Sequence, residues 1–352
     1  MHERGRGPAA PLLSSVPPGD DDLPAGRRLP APVVVCALAC VLAVLVAAGL
    51  SLGTPFVAPH RLPAVFGDPA SLEYVVLWEL RVPRLLIALL GGAAVGTAGL
   101  LLQESLRNPL AVPELIGVSS GAALAVAACV VWALPVPYSL HPLVGLGGAA
   151  IGGLLTLAAA RGGRGAQGVL LIGVAVSTAI QALLFAIMAT ADRLQYDMLF
   201  RYLVGSLSGV LWEQVTQALP WFALSLPLVL LCVPALGLLR LGDEAAAALG
   251  SRVAGARLGV LAVAALLVGC VTGPCGPIAW VGFVAPLLAR RLRPHGEAKV
   301  WLPLTAALGA AVTAAADLAA RLALAPVETP LGAWTALVGV LAGAMLLRGR
   351  AT

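Results

Sequence analysis

Few residues in this sequence have the types and spacing that covalent chemistry requires. The four histidines are scattered over the tail and the loops, and none is grouped with a serine and an aspartate as in a hydrolytic site. The six cysteines form no Cys-x-x-Cys pair and have no histidine at ligand spacing, so we expect buried apolar side chains. The sequence also lacks the Gly-x-x-x-x-Gly-Lys-Ser/Thr loop that cradles ATP phosphates. We therefore expect no enzyme activity and no metal bound by this chain.

Three arginines and one aspartate lie at the ends of apolar segments, where charge is otherwise rare. Arg81 and Arg84 flank Pro83 at the start of one such segment, and Arg321 ends another. Asp317 comes four residues before Arg321, which is one helical turn, so an intrahelical ion pair could lower the cost of burying the carboxylate. The arginines could anchor the segment ends by snorkelling, or bind an acidic partner or an anionic ligand.

The composition indicates that the elements positioning these residues are membrane-spanning helices. Of the 352 residues, 60% are hydrophobic and 11% are charged, whereas a soluble domain has about 25% charged residues. The mean hydropathy of +0.96 agrees with an all-α integral membrane protein in contact with lipid. The net charge of +5 does not indicate nucleic-acid binding, because the basic residues flank apolar segments instead of forming a stripe with aromatic residues.

Hydropathy predicts about ten transmembrane helices, since a span needs about 20 apolar residues. They cover residues 33–52, 83–103, 114–134, 141–160, 167–190, 215–238, 257–273, 277–290, 300–320 and 332–347. The proline-rich region 273–290 could instead form one kinked element. Residues 1–30 are rich in proline, glycine and charge, which predicts a disordered cytoplasmic tail ahead of a membrane domain covering 31–352.

The distribution of lysine and arginine predicts the orientation. With the N-terminus inside, most of the 22 basic residues fall on the inner side of the ten spans. By the positive-inside rule, this places both termini in the cytoplasm.

An inner loop, at about residues 240–257, contains the sequence GDEAAAALG. Asp243 and Glu244 suit a helix N-terminus, the alanines propagate a helix, and Gly250 can end it. The resulting short surface helix is either an ordinary connector or a docking helix that transmits force from a cytoplasmic partner.

Four segments in this order resemble the FecCD-like permease family of bacterial ABC importers for iron-siderophores, haem and cobalamin. They are Arg81–Ala125, Gly242–Gly250, Gly276–Arg290 and Ala316–Gly339. The resemblance covers about residues 33–350 and implies the type II ABC importer permease fold. It also implies pairing with a second permease subunit, identical or related, with two ATP-binding subunits inside and a substrate-binding protein outside. ATP and Mg²⁺ would then bind to the partner ATPase, and this chain would bind no cofactor.

The resemblance also assigns roles to individual residues. Those implied to dock the binding protein are Arg81, Arg84 and Arg321; those in the ATPase coupling helix are Gly242, Asp243, Glu244, Ala245, Leu249 and Gly250; those at the pathway gates are Asn108, Leu110, Ala166 and Gln167. The chain departs from the family pattern at Leu287, where histidine is common, and at Thr329, where leucine is usual.

The expected function is therefore that of a plasma-membrane permease subunit importing an iron(III)-siderophore or a related chelate, such as haem or cobalamin. The alternative is a secondary transporter of a small solute that works without an ATPase. Such a transporter usually has a carboxylate or a broken helix at mid-membrane. Asp317 is the candidate, and it is close to the end of its span.

Overall fold

The computed structural model describes residues 30–137, 140–160, 165–294 and 296–348, and this part of the chain contains helices but no strand. In chain order the helices are α1 (Ala31–Ser51), α2 (Leu62–Phe66), α3 (Leu72–Val75), α4 (Val82–Ser105), α5 (Val118–Val131), α6 (His141–Ala160), α7 (Gly165–Met188), α8 (Arg193–Val204), α9 (Trp212–Arg240), α10 (Asp243–Ala248), α11 (Val253–Cys275), α12 (Val281–Leu292), α13 (Ala298–Leu322) and α14 (Leu331–Arg348). Each of the ten predicted spans corresponds to one of these helices, which confirms the all-α membrane fold. Residues 1–29 of the predicted tail lie outside the described residues.

Six of the described helical segments are long and apolar enough to cross a membrane. They are Ala31–Ser51, Leu72–Ser105, Gly168–Met188, Trp212–Arg240, Val253–Cys275 and Ala298–Leu322. The second is a continuous run in which α3 passes through a six-residue π-helical segment, Val76–Arg81, into α4. Shorter apolar helices complete the bundle, among them α5 and α14.

Helix α4 is the centre of the bundle and packs against α11, α12 and α13. Glycines allow its backbone to approach its neighbours closely: Gly92 lies against Gly309 of α13, and Gly99 lies against Gly282 of α12. A Cβ atom at Gly92 or Gly99 would collide with the backbone carbonyl of the facing glycine. Small residues therefore set the helix spacing here, as they commonly do in membrane bundles.

The two ends of the bundle are marked by arginines. At one end, Arg81 and Arg321 both donate hydrogen bonds to carbonyls at the C-terminus of α1. At the other end, Glu104 near the C-terminus of α4 pairs with Arg240 of α9 and Arg290 of α12. We call these the outer end and the inner end, following the positive-inside rule. Because α1 ends and α14 begins near the outer end, α1 begins and α14 ends on the inner side.

The proline-rich region 273–290 is divided between two helices, as the two predicted spans require, so the alternative of one kinked element is wrong. Helix α11 ends at Cys275 and α12 begins at Val281. Between them, Gly276 has φ +74° and Trp280 has φ +67°, and these left-handed conformations interrupt the helix. Helix α12 has 12 residues and is about 18 Å long. That is shorter than the hydrocarbon core of about 30 Å.

Candidate functional site

At the outer end, Arg81 is buried and supports the end of helix α1. Its Nη1 donates to the carbonyl oxygens of Leu50 (2.6 Å) and Ser51 (3.3 Å), and its Nη2 donates to that of Pro55 (2.5 Å). The last carbonyl oxygens of a helix have no N–H donor within the helix, so an external donor satisfies them. Arg81 is 5% exposed, and its visible function is to join α1 to α4.

Arg84 connects two carboxylates at the same end. Its Nε donates to Asp317 Oδ1 at 2.9 Å, and its Nη1 donates to Glu328 Oε1 and Oε2 at 3.0 and 2.9 Å. The Asp317 side chain is 4% exposed, whereas that of Glu328 is 40% exposed. Burial raises the pKa of Glu328, but the charge and hydrogen bonds of Arg84, together with a Ser208 hydrogen bond and the Arg321 charge, outweigh it, so the net pKa is below the usual value.

Arg321 completes what we call the outer cluster: Arg84, Asp317, Arg321 and Glu328. Its Nε lies 3.4 Å from Asp317 Oδ2, and its Nη2 donates to the Gly49 carbonyl oxygen at 3.1 Å. The predicted ion pair between Asp317 and Arg321 is thus confirmed. Asp317 is bridged by two arginines, and the structure brings all three predicted docking arginines to one end of the bundle.

At the inner end, the predicted surface helix is present as α10, Asp243–Ala248. Gly242 precedes it with φ +105° and Gly250 follows it with φ +82°, conformations that strongly favour glycine. Ala246 is fully buried, while Leu249 is 64% exposed. Asp243 Oδ1 accepts a hydrogen bond from Arg257 Nη2 of α11 at 2.7 Å, which fixes the start of α10.

The residues predicted at the gates have different local structures. Asn108 and Leu110 lie in the loop after α4, where Asn108 Oδ1 accepts from the Leu110 N–H at 2.9 Å. The Leu110 side chain is 62% exposed. Ala166 and Gln167 are in the first turn of α7. Their side chains, and residues 161–164 before them, lie outside the described residues.

Sequence reasoning missed a second group of interacting side chains, which we call the inner cluster: Gln103, Glu104, Arg240, Arg290 and Trp301. Glu104 pairs with Arg240 Nε and Arg290 Nη2, each at 2.9 Å. Arg290 Nη1 also donates to Gln103 Oε1 at 2.6 Å, and both guanidinium groups lie over the Trp301 ring, at 4.6 and 5.6 Å from its centroid. The available signal was a glutamate directly at the end of an apolar span, where a carboxylate is expensive unless it is paired.

The inner cluster borders an open pocket of about 290 Å³ at the inner end. Its lining residues are Gln103, Glu104, Arg107, Asn108, Pro109, Arg240 and Arg290. The pocket thus joins the inner cluster to the loop that carries Asn108.

The departure from the family pattern at Thr329 has a visible structural role. Its hydroxyl donates to the Ala320 carbonyl oxygen at 3.0 Å and accepts from Trp334 Nε1 at 2.8 Å. Thr329 therefore joins the end of α13 to α14 next to the outer cluster.

The match to a protein family agrees with this architecture. The model of the FecCD transport family matches residues 41–348, which is most of the chain. The chain belongs to the FecCD transport family.

Several curated relatives in this family resemble the chain over most of their length. The Fe(3+)-citrate import system permease protein YfmE of Bacillus subtilis is 33% identical over 310 residues, covering 87% of this chain and 92% of the relative. The Fe(3+) dicitrate transport system permease protein FecD of Escherichia coli is 36% identical, covering 76% and 83%. The hemin transport system permease protein HmuU of Yersinia pestis is also 36% identical, covering 76% and 86%.

A solved structure supports the same fold. A metal-chelate type ABC transporter in an inward-facing conformation superposes with a TM-score of 0.79 and 27% identity. The match covers 90% of this chain and 99% of the solved chain. The chain is therefore an integral membrane component of an ABC transporter, a transport subunit and not an enzyme.

Proposed function

We propose that this chain is the membrane-spanning permease subunit of an importer that brings an iron(III)-siderophore or a related metal chelate into the cytoplasm. The observation that carries the proposal is the family match over residues 41–348. It is supported by relatives named as permeases for Fe(3+)-citrate, Fe(3+) dicitrate and hemin. Haem and cobalamin are the related chelates that the family resemblance implies.

The proposed complex contains a second permease subunit, two ATP-binding subunits on the inner side and a substrate-binding protein on the outer side. Helix α10 supports contact with an ATPase, because Leu241 and Leu249 at its two ends are 60% and 64% exposed at the inner end. These two leucines flank one short surface helix and offer a partner an apolar contact on the inner side. ATP and Mg²⁺ are assigned to the ATPase, and this chain binds neither.

Docking of the binding protein is assigned to Arg81, Arg84 and Arg321, and the geometry suggests how it proceeds. Arg84 is 12% exposed and is held by Glu328, the most exposed carboxylate of the outer cluster. An acidic residue of the binding protein can replace Glu328 as the partner of Arg84, because both present a carboxylate to the same guanidinium. Arg81 and Arg321 position the outer end of the bundle: both donate to carbonyl oxygens of α1, and Arg321 also pairs with Asp317.

The inner gate is assigned to the loop containing Asn108 and Leu110, with a second gate at Ala166 and Gln167. The exposed side chain of Leu110 supports the first assignment, since an apolar side chain facing an aqueous pathway can close it by excluding water. The position of Ala166 and Gln167 at the start of α7 assigns the second gate to a helix end.

A secondary transporter is the less favoured alternative. It would need a carboxylate that binds and releases a coupling ion. Asp317 is the candidate, but Arg84 and Arg321 both contact its oxygens, so its negative charge is already balanced by two arginines. The carboxylate also lies within the last two turns of α13, at the outer end.

Uptake of radiolabelled iron(III) citrate and of a labelled iron(III) hydroxamate into proteoliposomes tests the proposal. The vesicles contain this chain with its candidate ATPase and binding protein, and each component is omitted in turn. We expect uptake that requires all three proteins and ATP. Uptake without ATP would support the secondary transporter instead. If neither iron chelate is taken up, haemin and cobalamin are the next probes, and failure with all four would reject the proposed cargo class.

A further inference from the structure

Helix α10 is joined to helix α4 by a single buried guanidinium. Arg257 of α11 is 8% exposed. Its Nη2 donates to Asp243 Oδ1 at 2.7 Å, and its Nε donates to the Ser105 carbonyl oxygen at 3.2 Å. Asp243 is the first residue of α10, and Ser105 is the last residue of α4. A displacement of α10 therefore acts on the end of α4 through two hydrogen bonds.

A second connection runs through Glu104. Arg240 is the last residue of α9 and comes three positions before α10, and its Nε lies 2.9 Å from Glu104 Oε2. Glu104 is also held by Arg290 of α12. Both arginines lie over Trp301. The segment that leads into α10 is thus paired with α4 at Glu104, one residue before Ser105, which Arg257 contacts.

The loop predicted to carry the inner gate begins at once after these contacts. The N–H groups of Arg107 and Asn108 donate to the carbonyl oxygens of Glu104 (3.4 Å) and Gln103 (3.1 Å). Asn108 in turn accepts from the Leu110 N–H. Asp243 and Leu110 are therefore connected by hydrogen bonds that are joined to one another through the α4 backbone at residues 103–105.

The chemistry of these contacts suits the transmission of a displacement. Glu104 is 7% exposed, and a buried charge separated from its partners is strongly destabilised, so the pairs resist being pulled apart. Each guanidinium also donates in fixed directions, because its N–H groups are coplanar. Exposed ion pairs between flexible side chains would yield instead.

We propose that Glu104 and Arg257 are positioning residues that couple movement of α10 to the loop at Asn108–Leu110. The proposal rests on the function proposed above, in which an ATPase moves α10. The role of Glu104 and Arg257 is to keep the end of α4 in register with α10, so that a displacement at the ATPase contact reaches Leu110.

The experiment measures uptake and ATP hydrolysis together in proteoliposomes that contain the complete complex, with labelled iron(III) citrate as the probe. The variants are Glu104→Gln and Arg257→Gln, alone and combined, and Arg291→Gln is the matched control. Arg291 is an exposed inner arginine next to Arg290 and forms none of the contacts described. We expect iron taken up per ATP hydrolysed to fall by about fivefold or more in Glu104→Gln and Arg257→Gln, the range of measured coupling between sites. Arg291→Gln should keep the wild-type ratio.

A second readout distinguishes coupling from loss of folding. A Leu110→Cys variant is labelled with a thiol reagent, and modification at this position is followed by mass spectrometry, so the native cysteines do not interfere. Trapping the ATPase with ATP and vanadate should change the labelling rate in the otherwise wild-type complex. With Glu104→Gln or Arg257→Gln added, trapping should still occur but the labelling rate should no longer change.

The outcomes separate this proposal from the proposed function. If the wild-type complex takes up none of the four chelates, the proposed function fails. If it transports iron and both variants keep the wild-type uptake per ATP and the wild-type change in labelling, the coupling role of Glu104 and Arg257 is wrong. If the variants fail to assemble, Arg257→Lys and Glu104→Asp are tested in their place, because they keep the charges but shorten the side chains. A normal ratio in both of these would also overturn the proposal.

Discussion

The outer and inner clusters use the same chemistry for different purposes. Each contains one buried carboxylate bridged by two arginines: Asp317 between Arg84 and Arg321, and Glu104 between Arg240 and Arg290. The outer arginines are 12% and 10% exposed, whereas the inner arginines are 35% and 24% exposed. The outer cluster is therefore better shielded from water, and it fixes the helix ends. The inner cluster is more hydrated and adjoins a surface helix and a loop.

Removing the central carboxylate should have its largest effect on stability at the outer end. Asp317→Asn would leave Arg84 and Arg321 in a buried site with no charge to balance them, apart from the exposed Glu328. We expect the free energy of unfolding to fall by about 3–5 kcal/mol. Thermal unfolding of the purified chain in detergent measures this change. Asp68→Asn, at an exposed outer turn, is the control and should stay within about 0.5 kcal/mol of wild type.

The corresponding change at the inner end should be less destabilising. Glu104→Gln keeps the shape of the side chain, and its arginines can reach water, so we expect a loss of about 1–3 kcal/mol. The same thermal measurement applies. A loss as large as that of Asp317→Asn would show that the two clusters do not differ in the way their exposure indicates.

Changing the exposed carboxylate of the outer cluster should affect docking more than folding. Glu328→Gln removes the residue that competes with the binding protein for Arg84, so we expect the binding protein to bind several-fold more tightly. Titration of the labelled binding protein onto the permease in nanodiscs measures the affinity. Glu73→Gln is the control, because Glu73 pairs with Arg61 on the outer side. An equal gain with Glu73→Gln would indicate a general effect of charge and not the release of Arg84.

The smallest expected effect is the pH dependence of the stability that Glu328 contributes. Because the folded protein lowers the pKa of Glu328, ionised Glu328 contributes stability that is fully present above the ordinary glutamate pKa of about 4.3. This contribution is lost as the pH falls through the lower pKa of the folded state. The Tm difference between wild type and Glu328→Gln should therefore be present at pH 7 and shrink toward pH 3. A difference that grows in acid would contradict the sign.

The sequence was sufficient to predict features that depend on local composition. Ten apolar segments predicted ten helices, and the i, i+4 spacing predicted the pairing of Asp317 with Arg321. Asp243 and Glu244, the alanines after them and Gly250 predicted α10, because these residue types favour the start, the interior and the end of a helix. These are properties of one or two turns of chain.

Features that depend on distant segments could not be predicted. Arg290 and Glu104 are 186 positions apart, and Arg84 and Asp317 are 233 apart. Arg81 was predicted to anchor a segment end or to bind a partner, because its hydrogen bonds to the carbonyl oxygens of α1 are visible only when the two helices are packed. Consequently, changing the charge of Arg81 as a test of docking would also disturb the fold.

The glycine contacts of α4 limit how this protein can change shape. Gly92 and Gly99 meet facing glycines without room for one methyl group, so α4 cannot slide along α12 or α13 without separating from them. Helices packed this closely move as one rigid body, and a hinge must lie elsewhere. The glycines beside α10 are not packed against another helix backbone: a Cβ atom at Gly242 would meet the Arg107 side chain, and one at Gly250 would meet nothing within 4 Å. Glycine therefore sets a fixed helix spacing in the middle of the bundle, and it leaves the chain less confined next to α10.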